Sequence, residues 1–395
     1  MTRPLIATLM LSVAMLAPGV ASAVPLQDQA EAAVQKLTGK DGAASIAKVA
    51  SFDHQVTGVA VTETGRIFVS FPRWSEDAPV SLAELMPDGA LHPYPDAEWN
   101  AYRNAAPRSA NDHFVCVQAE TADGKGSLWV IDPAAPNTEF IVPGGPKLVK
   151  IDLATNKVAQ VFGFDLSVAP QGSYLNDVRL SPDGKTAYMT DSGATGALVV
   201  LDLTTGQGRR VLDSDVSTQV DKTVKVAIDG KEMKQPDGRG VQFAADSISI
   251  DPTGQYLYWQ PLTGKTLYRI ATAALADVGL SPEQMSQKVE KVADSEPNDG
   301  LWTDASNRLF FTAVQKSAIE TMERGGKRTT LVSDPRLRWP DTFAQGPDGT
   351  LYVTNSDITD SPRFNPGGWA AKSFNLWKIV PSKAGLIDKN PAFSK

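Results

Sequence analysis

The sequence predicts an all-β fold, a six-bladed β-propeller with four-stranded antiparallel blades around a central channel. Three observations carry that expectation. First, 31 Gly and 27 Pro are spread along 395 residues, and short runs rich in Val, Ile, Tyr and Leu alternate with turn signals where segments of helical period are few. Second, one unit recurs six times: an apolar strand, a turn closing on Gly or Asn, and a second strand of apolar-aromatic-apolar type. Third, a further strand pair follows several copies, as in Ala197 to Asp202 with the Thr204-Thr205-Gly206 turn, or Leu148 to Asp152 with Thr155-Asn156. Four strands repeated six times is the pattern of a propeller.

The N-terminus reads as an export signal. Arg3 precedes an apolar run from Leu5 to Ala17, and Ala21-Ser22-Ala23 fits a small-x-small cleavage site, so residues 1–23 are expected to be removed. The run is shorter than the ~20 apolar residues a span requires, and no later stretch approaches that length. The mature chain is expected to be periplasmic or secreted. Residues 24–50 are read as a segment leading into a propeller over 51–395.

The six units run from Val59 to Val69 around Gly65, Ala119 to Val130 around Gly126, and Val178 to Met189 around Gly184. They continue from Ser247 to Trp259 around Gly254, Gly300 to Phe311 around Asn307, and Thr342 to Val353 around Gly349. Residues 213–240, rich in Asp, Lys and Gly, form a long connection before the fourth unit, read as a loop over one channel opening.

Eight positions before each turn residue stand Thr57, Gln118, Asn176, Asp246, Asp299 and Asp341, all polar. In a propeller these open the innermost strands, so they form one ring at a channel mouth. Three carboxylates and two amides suit a hard cation or an organic ammonium group. The bland alternative is that such residues cap turns, a role that pseudo-symmetry would repeat in every blade. His54 lies three residues before Thr57, and His113 five before Gln118. Arg73-Trp74 offers a guanidinium and an indole to clamp a planar ligand or cover a blade edge, and Trp339 precedes Asp341 closely enough to wall the ring.

Composition excludes other chemistry. A net charge of −7 with no basic block lacks the footprint for nucleic acid or an anionic membrane. A single cysteine, Cys116, leaves no intrachain disulfide and no multi-thiolate metal site. There is no nucleophile elbow, zinc motif or phosphate loop, and nothing indicates a nucleotide, flavin or haem.

Several blocks carry a resemblance. Phe68 to Trp74 (Phe-Val-Ser-Phe-Pro-Arg-Trp), Ser81 to Leu85, Pro93 to Asn100 (Pro-Tyr-Pro-Asp-Ala-Glu-Trp-Asn), Gly126 to Asp132, Pro146 to Leu153 and Tyr174 to Val178 resemble the Yellow and major royal jelly protein family, in order over most of the mature chain. The resemblance implies a secreted six-bladed propeller. Its members include pigmentation proteins with dopachrome-converting activity, food proteins, and salivary proteins that bind biogenic amines; bacterial relatives are labelled dopachrome tautomerase-related by similarity. This chain departs from the insect pattern in having one cysteine.

A more distant similarity is to gluconolactonase and regucalcin propellers, through Asn176 to Gly184 and Asp299-Gly300-Leu301-Trp302. It implies one divalent metal, Ca²⁺ foremost, held by Asn176 and Asp246; the family's first-blade Glu has no counterpart, since the register gives Thr57. Two expectations stand together. One is a metal-assisted isomerase or lactonase with Asp299 moving the proton. The other is a binding protein or interaction scaffold, in which Asp341 or Asp299 pairs an ammonium, Trp339 packs on its ring, and Thr57, Gln118, His54 and Arg73 complete the site. Oligomeric state is not legible.

Overall fold

The computed structural model describes residues 43–393, apart from 75, 137, 139, 324, 325, 362 and 366–373. The signal-peptide expectation lies outside the described residues.

Six four-stranded antiparallel sheets form the propeller. All six sequence units are inner hairpins, and the six turn residues, Gly65, Gly126, Gly184, Gly254, Asn307 and Gly349, all have φ between 66° and 87°. Glycine and asparagine are the residues that tolerate this left-handed conformation, which explains their recurrence at one offset. Blades 1 to 5 take their strands from 59–93, 119–163, 175–211, 245–294 and 298–333.

Blade 6 closes the ring. Its three inner strands, Pro340–Gln345, Leu351–Asn355 and Phe374–Pro381, are completed by Ala44–Phe52, which pairs antiparallel along the last of them from Ala44–Pro381 to Phe52–Phe374. The propeller therefore begins at Ala44 and not at the boundary near 51, which falls within this strand. A strand whose partner is over three hundred residues away leaves no local signal of its membership.

The core lies between blades. Six apolar clusters occupy the six seams: Val59 with Phe374 and Leu376, Ala60 with Val130, Leu148 with Val178, Val200 with Ile248, Leu267 with Leu301, and Phe310 with Val353. Burying such side chains on both faces of every sheet, at roughly 25 cal/mol per Å², is the main favourable term holding the ring shut. Residues 213–240 are not structureless: Ala227–Ile228 and Lys231–Glu232 form a small hairpin. Val226, Ile228 and Met233 pack on Leu262, Val314, Trp339 and Ile358, so the insertion sits against the channel-mouth loops.

Candidate functional site

Each inner strand delivers its first residues to the channel through a broken ladder. In blades 3 to 6 the pairing shifts between Leu175 and Val178, Ala245 and Ser247, Asn298 and Leu301, and Pro340 and Phe343. Those bulges contain Asn176, Asp246, Asp299 and Asp341, and a bulge re-aims the side chain it carries.

A repeated hydroxyl holds the broken segments. Thr190 Oγ1 accepts from the Asp177 amide and donates to the Asp246 carbonyl; Thr354 Oγ1 accepts from Thr342 and donates to the Thr57 carbonyl. Ser70 Oγ does the same from Gly58 to Gln118, and Thr312 Oγ1 accepts from Asp299 and Gly300. Sequence reasoning missed these residues. Their signal was present, since Phe-Val-Ser, Tyr-Met-Thr, Phe-Phe-Thr and Tyr-Val-Thr stand at one position of the second strand.

Five of the six expected ring residues, Gln118, Asn176, Asp246, Asp299 and Asp341, line one cavity of about 900 Å³. Thr57 is not among its lining residues; it is fully buried, with Oγ1 donating to the Gln118 carbonyl at 2.8 Å. A hydrogen-bonded chain crosses the floor of the cavity. Asn176 Nδ2 donates to Asp246 Oδ1 at 2.9 Å, Asp246 is hydrogen-bonded to Asp299, and Asp299 Oδ2 accepts from Trp339 Nε1 at 2.6 Å. Burial pushes the Asp246 carboxyl well above the usual range, and the charge of Asp299 adds to the effect. Burial lifts Asp299 less, to about 7, because Trp339 and Asp246 hydrogen-bond its charged form. Asp341 is likewise held well above the usual carboxylate range by burial and by Asp299. Burial thus favours the protonated form of the two carboxyls, which titrate as a coupled pair.

The walls differ from expectation. Trp339 is fully buried and acts as the donor to Asp299; it is not among the cavity's lining residues. Arg73 is 1% exposed, and its guanidinium donates to the carbonyls of Asn100, Tyr102 and Phe114, so it fastens a loop instead of clamping a ligand. A fully buried fork satisfied by carbonyls has no donor left to reach outward. Trp74 lines the cavity in its place, donating to Tyr174, whose hydroxyl donates to Gln118 Oε1. Phe243 adds a further aromatic face, and His54 lies at the cavity 3.9 Å from Asp77. His113 is elsewhere, among Ser109, Asp112 and Glu98. Gln235 and Arg239 bring the 213–240 insertion to the cavity wall.

Hard oxygen donors are plentiful here, but they engage one another. Among the described residues no three His, Cys, Asp or Glu side chains are arranged to hold a metal ion. The Asn176 and Asp246 pair expected to share a metal is joined by its own hydrogen bond.

The family model described as Major royal jelly protein matches residues 115–334. The chain belongs to this family. No curated protein matches the sequence. Solved structures share the fold at low identity. A gluconolactonase from Xanthomonas campestris is 13% identical with a TM-score of 0.51, covering 87% of this chain and 92% of its own. A calcium-binding regucalcin from Agrobacterium tumefaciens is 15% identical with a TM-score of 0.52, covering 87% and 95%. A luciferin-regenerating enzyme is 10% identical with a TM-score of 0.53, covering 88% and 98%.

Proposed function

We propose that this royal-jelly-family propeller is exported to the periplasm or the medium, binds a small cyclic or aromatic molecule at its channel mouth, and moves a proton on it as an isomerase. The observation that carries the reading is the pair of buried carboxyls, Asp246 and Asp299, that line an aromatic-walled cavity with their proton affinities raised by burial. Two carboxyls with separated proton affinities supply an acid and a base at once. Asp299, poised near neutrality, takes a proton from one atom of the bound ring; Asp246 gives its proton to another. The proton then passes along their hydrogen bond from Asp299 back to Asp246, so the ligand is isomerised and the protein restored with no co-reactant. Trp74, Tyr174 and Phe243 orient a flat ring and limit water.

A panel of cyclic quinone-imines, enols and lactones incubated in D₂O tests this directly. Deuterium uptake or isomerisation by the wild type, lost in Asp299→Asn, supports the reading. Absence of exchange or turnover with every compound overturns it. Binding without exchange, strongest for aromatic amines, favours instead a carrier in which Asp341 and Asp299 pair an ammonium, a reading supported by the same acidic floor and aromatic walls.

A further inference from the structure

The residue two before the ring position has a second use in two blades. In blade 3 it is Tyr174, whose hydroxyl donates to Gln118 Oε1, on the ring residue of blade 2, at 2.7 Å. In blade 6 it is Trp339, whose Nε1 donates to Asp299 Oδ2, on the ring residue of blade 5, at 2.6 Å. Each aromatic donor thus aims the ring residue of the preceding blade. Tyr174 is steadied by the Trp74 indole, which donates to its hydroxyl at 2.8 Å. Trp339 is steadied by a different piece of chain, the 213–240 insertion.

Trp339 needs holding. Its φ is 50°, whereas its counterparts in the other blades, Gln55, Cys116, Tyr174, Ala244 and Pro297, are not left-handed. That conformation is costly for a bulky side chain and persists only where the surroundings enforce it. Two contacts do so. The indole belongs to one buried apolar cluster with Val226, Ile228 and Met233 of the insertion. Arg338, the residue before it, forms a clasp: Nε and Nη2 donate to the two carboxylate oxygens of Asp360 at 2.9 and 3.3 Å, and Nη1 donates to Asp229 Oδ2 at 2.6 Å. Asp229 and Gly230, at φ 52° and 74°, are the two-residue turn joining Ala227–Ile228 to Lys231–Glu232, a tight hairpin that suits an Asp-Gly pair. The Ala227 amide donates to Gln315 Oε1 at 2.8 Å, which pins the strand behind the turn. The hairpin therefore presents one carboxylate at a fixed point, 109 residues in sequence from the guanidinium it meets.

We propose that Arg338 is a positioning residue and the insertion hairpin its anchor: together they hold the left-handed turn at Trp339 that directs the indole at Asp299. The charged groups facing the guanidinium are Asp229 from the insertion and Asp360 from the loop of blade 6. Where Asp299 is the base of the isomerisation proposed above, the insertion sets that base; this consequence alone rests on that reading. A partly exposed ion pair contributes little to global stability, so breaking it leaves a folded protein in which the aim of the indole is readable.

The test reads the indole in the ligand-free full chain. In ¹⁵N-labelled protein the Nε1–H resonance of Trp339 is assigned by its loss in Trp339→Phe, and its proton shift and its exchange with D₂O are compared in Asp229→Asn, Arg338→Gln and Arg338→Lys. Asn tolerates the left-handed φ of the turn and removes the charge, so Asp229→Asn secures a folded comparison. In Arg338→Gln the Trp339 proton is expected to move upfield and to exchange about tenfold faster or more, the weight of one hydrogen bond to a charged group. Asp229→Asn shifts it in the same direction, and Arg338→Lys, which keeps the charge, restores most of the wild-type signal. The indoles of Trp129 and Trp259, bonded to Asp123 and to the Ser217 carbonyl, hold still as internal controls. A Trp339 signal unchanged in both Asp229→Asn and Arg338→Gln overturns the proposal. A signal that moves only together with those of Trp129 and Trp259 overturns it as well, since that marks general loosening. Proton exchange on ring compounds is a separate measurement, so failure of the isomerase reading leaves this result standing.

Discussion

The indole Nε1 of Trp339 donates to Asp299 Oδ2 at 2.6 Å, with the tryptophan fully buried and its backbone left-handed at φ 50°. This bond opposes burial and keeps Asp299 near 7 where desolvation alone would push it higher. Trp339→Phe keeps most of the ring volume and removes the donor. Its expected effect is an alkaline displacement of the Asp299 ionisation, read in the pH profile of ligand binding or proton exchange. An unmoved profile would show that the indole only fills space.

Asp246→Asn keeps the shape of the side chain and removes the acid that the proposed proton transfer requires. Proton exchange is expected to fall by roughly 10²-fold or more, the usual contribution of a positioned acid. The melting temperature should hold or rise, because the buried carboxyl that burial penalises is gone. Circular dichroism melts alongside the exchange assay separate these two effects.

Asp357 gives a pH test away from the mouth chain. Burial, aided by the nearby Asp360, pushes its carboxyl up to about 7, although Asn355 Nδ2 donates to it at 2.8 Å. Below the unfolded value near 4 both states hold the proton and no penalty exists. Between there and about 7 the unfolded chain ionises while the folded one does not, so stability falls as pH rises, levelling off above about 7. Asp357→Asn retains a residue that accepts the left-handed φ of 46° and should reduce that slope, gaining most stability at pH 8 and least at pH 4. Denaturant melts across this range check it; equal gains at both ends would remove Asp357 as the cause.

Arg179 is buried and links two blades that are not neighbours. Rooted in blade 3, it reaches the Leu301 carbonyl of blade 5 at 3.1 Å and lies 5.7 Å from the Trp302 ring centroid. Arg179→Met is expected to cost about 3 kcal/mol or more, since it leaves Asp177 buried without its cation. Urea unfolding measures this, and a loss below about 1 kcal/mol would mean that Asp177 is neutral in the wild type.

The propeller was legible because its determinants are local. Gly65, Gly126, Gly184, Gly254, Asn307 and Gly349 each serve a hairpin whose strands are neighbours in sequence, so counting back from them located Gln118, Asn176, Asp246, Asp299 and Asp341 at one cavity. The same count failed for Thr57, which turns to the Gln118 carbonyl, and could not reveal that Ala44–Phe52 completes blade 6.

What the sequence by itself determined, then, is the blade repeat, the acidic ring and the family likeness, each a matter of residue type at a fixed offset. Only the tertiary structure decided which neighbours those residues meet. Arg73 was spent on backbone carbonyls, Trp339 became a donor to Asp299, and Asp246 came to accept from Asn176 beside Asp299. Glu120, unremarkable as a letter in a strand, became a carboxyl buried in an apolar seam and pushed up to about 8 by that burial. Burial and the direction of a hydrogen bond depend on chain segments far apart in sequence, and proton affinity follows from both.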